Sequence, residues 1–181
     1  MPAIAPHITY YPKPSRNCNW YESGTGEHKY RFRREKKDPR SRQQDEDALK
    51  DFGAISQYLD IYRAIERSRC IEQLEIDWND EGAQGYSHLT WQRTAYFAAI
   101  QANAARDAGV SIGVPIIAPA DHGSIDIHWQ NNGRDLLINV PADPQKPATY
   151  YGASQAGETT SGLLDPRAAR GDLLLWLSGG R

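Results

Sequence analysis

The stretch from Pro115 to Gly152, PIIAPADHGSIDIHWQNNGRDLLINVPADPQKPATYYG, constrains the fold more than any other part of the chain. Side chains leave a strand on alternate faces, so Ile125, Ile127 and Trp129 share one face while Ser124, Asp126 and His128 share the other. Asn131-Asn132-Gly133 follows, and these residues accept the positive φ that a tight hairpin demands. Leu136, Ile138 and Val140 then return as the apolar face of a partner strand. Val114–Ala118 before this hairpin and Ala148–Tyr151 after it extend the same meander. Prolines 141, 144 and 147 space the last connection, because a proline cannot donate to a ladder. One face of such a sheet must be covered.

The covering elements are helical. From Glu46 to Arg69, Leu49, Phe52, Ile55, Leu59, Tyr62 and Ile65 or Glu66 recur at steps of three and four, which predicts one apolar helical stripe. Asp45 or Gln44 stands where an N-cap and an acidic first turn belong. Leu74, Ile76 and Trp78 alternate briefly before Asn79, Gly82 and Gly85 impose a loop. Ser87 is a good N-cap for a second helix running to about Asp107, with Gly109 as its stop. Its alanines, 95, 98, 99, 102, 104 and 105, admit a close neighbour, with Trp91, Tyr96 and Ile100 expected to wedge alongside. Residues 153–161 are small and polar and are expected to form a flexible loop. Pro166 and the run Leu173-Leu174-Leu175-Trp176-Leu177 predict a short C-terminal helix.

The N-terminal part differs from all this. Residues 1–44 carry Pro2, Pro6, Pro12 and Pro14, then aromatics, then cations. Around Ser23-Gly24-Thr25-Gly26 a hairpin is expected, with Tyr30 and Phe32 on one face and Lys29, Arg31 and Arg33 on the other. Eight basic residues fall between Lys29 and Arg42, against Glu35 and Asp38 only. The predicted organisation is therefore a basic, aromatic arm over 1–44 and a single α+β domain over 45–181. That domain is expected to be an antiparallel meander of three to four strands packed by two helices, with a C-terminal helix appended.

Chemistry is harder to read than fold. Asp126 and His128 leave one strand face together, near Asp121 and His122, and such a pair could hold a metal or orient a general base. The outer face of an antiparallel sheet is, however, normally wet and polar without any further reason. Asp77, Asp80 and Glu81 around Trp78 could hold a hard cation, but they lack the spacing of a calcium loop. No glycine-serine-glycine elbow, histidine-glutamate zinc helix or phosphate loop is present. No catalytic residue, metal or cofactor is assigned on this basis. Cys18 and Cys70 match no zinc spacing and do not form a disulfide framework. With no secretory signal at the start and no apolar run of bilayer length, a cytoplasmic protein away from membranes is expected.

The residue types that anchor interfaces, aromatics and arginine, are concentrated at the two ends. The expected partner-binding residues are Tyr30, Arg31, Phe32, Arg33 and Arg34 on the arm, and Leu174, Leu175 and Trp176 at the C-terminus. Another protein is the expected partner. Nucleic acid is the alternative, since cations interleaved with aromatics suit a phosphate backbone with stacked bases. A metal-dependent hydrolase at Asp126 and His128 is the third possibility.

Trp78, Glu81-Gly82-Ala83, the alanine-rich helix, Pro119, Asp121-His122-Gly123-Ser124-Ile125, Trp129 and Tyr150-Tyr151-Gly152 form a pattern over residues 74–152. It resembles an uncharacterised family of small bacterial α+β domains. They share a tryptophan-glycine-alanine turn, a helix, a glycine-serine strand ending in tryptophan, and a closing tyrosine-glycine strand. The resemblance implies a compact helix-on-sheet unit of bacterial or phage origin, with no biochemistry to transfer. The function this suggests is a non-catalytic protein-interaction module, an accessory or regulatory subunit of a bacterial assembly, of the defence-related kind among others.

Overall fold

The computed structural model describes residues 56–79 and 82–179. The basic arm, with Tyr30, Arg31, Phe32, Arg33 and Arg34, lies outside them. Within the described residues the chain is α+β, with one five-stranded antiparallel sheet in the order β1-β2-β3-β4-β5. The strands are β1 (Ile116–Pro119), β2 (Ile125–Asn131), β3 (Arg134–Val140), β4 (Ala148–Ser154) and β5 (Thr159–Leu164). Each pairs with its neighbour in sequence, as a meander should. The helices are α1 (its described part 56–67), α2 (His88–Asp107) and α3 (Gly171–Ser178). No described helix is long and apolar enough to cross a membrane.

The central hairpin folds as its residues dictate. Asn132 and Gly133 have φ of 50° and 71°, the left-handed pair that a two-residue turn requires. Ile127 faces Ile138 and Trp129 faces Leu136 across the strands, all of them on the buried face. The side chain of Asn131 then fastens the hairpin tip, donating to the Ser111 carbonyl at 2.8 Å and the Leu177 carbonyl at 3.2 Å.

α2 lies across this inner face. Ser87 caps it, its hydroxyl accepting from the Thr90 N–H at 3.1 Å, and Gly109 follows its end at φ 66°. Ala98, Ala102 and Ala105 have no exposed surface, and neither does Phe97. The aromatic expectation at this helix changes in one place. Phe97 is the core residue, whereas Tyr96, one position earlier and so about 100° around the helix, stands out in solvent.

Three further expectations are corrected. In α1 the buried line runs through Ile61, Ile65 and Ser68, with Tyr58 packed against it, while Leu59 and Tyr62 are exposed. Two apolar rows interleave on this helix, and the one that meets the sheet side is set by packing, not by hydrophobicity. The upstream part of the predicted stripe lies outside the described residues. The helix gives way to a 3-10 turn, Ser68–Gln73, where the Ser68 hydroxyl donates to the Ile65 carbonyl and accepts the Trp91 indole N–H at 3.0 Å. Cys70 in this turn is disulfide-bonded, which the cysteine spacing did not foretell; its partner lies outside the described residues.

Second, residues 153–161 are not a loop throughout. Gly157, at φ 83°, turns the chain, and Thr159–Leu164 returns as a fifth strand. Backbone pairing holds it, and backbone pairing leaves little trace in side-chain hydrophobicity. Third, α3 starts at Gly171 and not at Pro166, which sits in a separate turn closed by the Ala168 N–H on the Asp165 carbonyl.

α3 closes the core with Leu173, Leu174 and Leu177, all buried. Trp176 reaches the sheet over Gly152, under the guanidinium of Arg134 at 4.5 Å from the ring centre. A methyl group on Gly152 would meet the Trp176 Nε1 and the Thr160 Cγ2, both at 2.8 Å. Gly152→Ala is therefore expected to destabilise the fold by about 1–3 kcal/mol, the usual cost of overpacking. Urea denaturation followed by tryptophan fluorescence checks this, and a midpoint unchanged from wild type would contradict the docking of Trp176.

Candidate partner-binding surface

With helices on one face, the opposite face of the sheet and its edges remain as the described surface. The outer face carries the residues that tempted a catalytic assignment. Asp126 and His128 do share this face, but each is held by a side chain of β3. Asn139 donates to Asp126 Oδ1 at 2.7 Å and to the Ser124 hydroxyl at 2.9 Å. His128 Nε2 lies 3.2 Å from Asp135 Oδ1, which also accepts from Gln130 at 2.8 Å. The bonds run sideways within the sheet surface and do not converge on a common point. Among the described residues no three His, Cys, Asp or Glu side chains gather as a metal site would need.

The other two tempting groups are built into turns. His122 and Gly123 take φ of 57° and 72° in the β1–β2 connection, and Ser124 closes it by donating N–H and hydroxyl to the Asp121 carbonyl. Asp77, at φ 66°, accepts the Gly82 N–H and donates its own N–H to the Ala83 carbonyl. Asp80 and Glu81 lie outside the described residues.

Beside this end of the sheet sits Tyr86, which the sequence did not single out. Its hydroxyl donates to the Ala120 carbonyl at 2.7 Å, and its ring lies 6.2 Å from that of Trp78. Burial pushes the phenol up to about 12, assisted by the carboxylates of Asp121 and Asp126. The Trp78 indole N–H, buried and without an acceptor among the described residues, opposes the shift.

At the C-terminus the three expected anchors separate. Leu174 is in the core and Trp176 is half-buried against Arg134 and the Asp135 carbonyl, at 3.4 Å. Only Leu175 is presented to solvent. A helix of eight residues with five apolar ones must turn most of them inward, and this one does so on the sheet.

The two sheet edges are unlike. β1 is four residues long, ends in Pro119, and has Ile117 and Ala118 buried against the Ser68–Gln73 turn. β5 carries exposed Thr159, Ser161, Gly162 and Leu163, the last at 63%. The Ser154 N–H donates to the Glu158 carbonyl, which fixes the phase of the β4–β5 ladder. Hydrogen-bonded pairs alternate from there, so 160, 162 and 164 turn their backbone groups toward β4. Thr159, Ser161 and Leu163 turn theirs outward. Arg170 Nη1 approaches the Leu163 carbonyl at 3.3 Å; the other outward groups have no bond among the described residues.

Comparison with family models, with curated proteins and with solved structures finds no match.

Tyr86 generates a pH prediction. Its folded pKa lies above the ordinary value of 10.0, so the folded state holds a proton that the unfolded state releases. The stability this contributes is complete below about pH 10 and is lost as pH rises toward about 12. In Tyr86→Phe this component of the alkaline decline is expected to vanish. Denaturation midpoints measured across that range check it, and identical slopes in the two proteins would refute it.

Proposed function

We propose that this chain is a non-catalytic protein-interaction module, an accessory or regulatory subunit that acts through its surface. The observation that carries this reading is how the titratable groups of the outer sheet face are arranged. Asp126, His128 and Asp135 are each hydrogen-bonded laterally to a neighbour on an adjacent strand or the same one. A general base or a metal ligand must aim a lone pair at a reacting atom or ion; lateral pairing instead spends hydrogen-bonding capacity within the sheet surface. Around these pairs lie half-buried Ile116, Leu137 and Tyr151, in register across β1 to β4 with His128. Apolar anchors among satisfied polar groups are the make-up of a protein interface.

The arm residues Tyr30, Arg31, Phe32, Arg33 and Arg34 complete the proposal as further contacts, and Leu175 remains available at the C-terminus.

Affinity capture of the tagged chain from its native cells, with and without nuclease, tests the class of partner. A stoichiometric protein that survives nuclease is expected, and its purified form should bind at least tenfold more weakly to Tyr151→Glu. Capture that collapses with nuclease, with affinity falling steeply as salt rises, would replace this reading with nucleic-acid binding.

A further inference from the structure

The polar face does not account for β5. An edge strand with outward N–H and C=O groups is a template for another strand, and folded proteins ordinarily blunt it with charge, proline or a bulge. Thr159-Thr160-Ser161-Gly162-Leu163-Leu164 has no charge and no proline, and pairs with β4 in uninterrupted register. Among the described residues its one protection is Arg170, whose guanidinium grips Asp172 at 2.8 and 2.6 Å and touches only the last outward carbonyl, that of Leu163.

We propose that β5 is a self-pairing edge, at which a second copy of this chain adds antiparallel across a twofold axis through Ser161, joining two five-stranded sheets into one of ten. The inference concerns a different surface from the polar face and stands whether or not that face meets another protein.

The phase of the ladder permits this occupant. About Ser161, residue 159 meets 163 of the other copy and 161 meets 161, so every outward residue faces another outward residue. All these pairs are then of the hydrogen-bonded kind, which a register shifted by one residue would forbid. The absence of charge removes the like-charge repulsion that a twofold axis brings to any ionised central residue. Thr159 comes to lie beside the exposed Leu163 of the second copy, a β-branched residue against an aliphatic one on the outer face. The charges at the two ends are already paired within the chain, Glu158 with Arg134 and Asp165 with Arg167, so no unpaired like charges are brought together when the second copy approaches. A foreign strand would have to supply all of this; the chain already contains it.

Six residues per copy make a small interface beside the roughly 1,600 Å² of a typical stable complex. The dimer is therefore expected to dissociate on dilution, and the test is sedimentation velocity of the full chain over a wide concentration range. Wild type should move from one chain mass to two as concentration rises. Ser161→Pro should remain at one chain mass with an unchanged far-ultraviolet spectrum, because the N–H it removes bonds nothing among the described residues. Leu163→Lys, which leaves the backbone intact, should weaken association at least tenfold, and it decides the matter should the proline variant fail to fold. In Ser161→Cys a short bifunctional maleimide should link two chains under conditions that leave wild type unlinked. Wild type at one chain mass at every concentration, or a dimer that persists in both Ser161→Pro and Leu163→Lys, would overturn the proposal.

Discussion

The side-chain amide of Gln101 holds the described structure together where its two layers and its C-terminus meet. It is 1% exposed, in the middle of the alanine face of α2. Its Oε1 accepts the Arg170 N–H at 2.7 Å and its Nε2 donates to the Arg170 carbonyl at 3.4 Å. A buried primary amide with neither bond would be strongly unfavourable, so the fold that satisfies it is selected against those that do not. That one residue fixes where α3 begins. From there Leu173, Leu174 and Leu177 fall onto the sheet and Trp176 onto Gly152. The side chain of Arg170, set by the same anchor, crosses Tyr150 at 5.4 Å from its ring centre and reaches the β5 edge.

Where side-chain pattern and backbone need coincide, the fold was legible. The β2–β3 hairpin announced itself because Asn132 and Gly133 are among the few residues that tolerate its turn, and because each strand alternates. α2 was legible from Ser87 to Gly109 for similar reasons. Two kinds of element escaped. β5 is held by main-chain bonds, and a strand reading TTSGLL has the composition of a loop. In α1, two apolar rows compete for the buried side, and packing into the common core decides for Ile61 and Ile65 over Leu59 and Tyr62. Periodicity locates a helix; its rotation about its own axis is a tertiary property.

The candidate surface was less legible still. Asp126 and His128 were rightly seen to share a face, since period two dictates it. What they do there depends on Asn139 and Asp135, which sit on a different strand and come opposite only through the register of the hairpin. Gln101 carried a faint signal, an amide spaced to share the helix face of Ala98, Ala102 and Ala105. Tyr86 carried none, because its partner is a main-chain carbonyl 34 positions further along. Leu174 and Trp176 looked like anchors for a partner because apolar clusters at a terminus are rare on a surface; the sheet of the same chain turned out to be what they meet.

The strictly sequential order of the sheet has a consequence for how the molecule comes into being. Every strand finds its neighbour one turn away, so each addition closes only a short loop and the sheet can grow as the chain emerges. α2 is made before any strand that covers its alanine face, and α3 is made after all five strands. Until α3 arrives, Trp129, Leu136 and the Gly152 seat for Trp176 have no cover on that side. The growing product is thus a sheet of rising width with one apolar flank still open. Its nascent edge advances strand by strand from β2 to β5, and α3, which follows them along the chain, seals it.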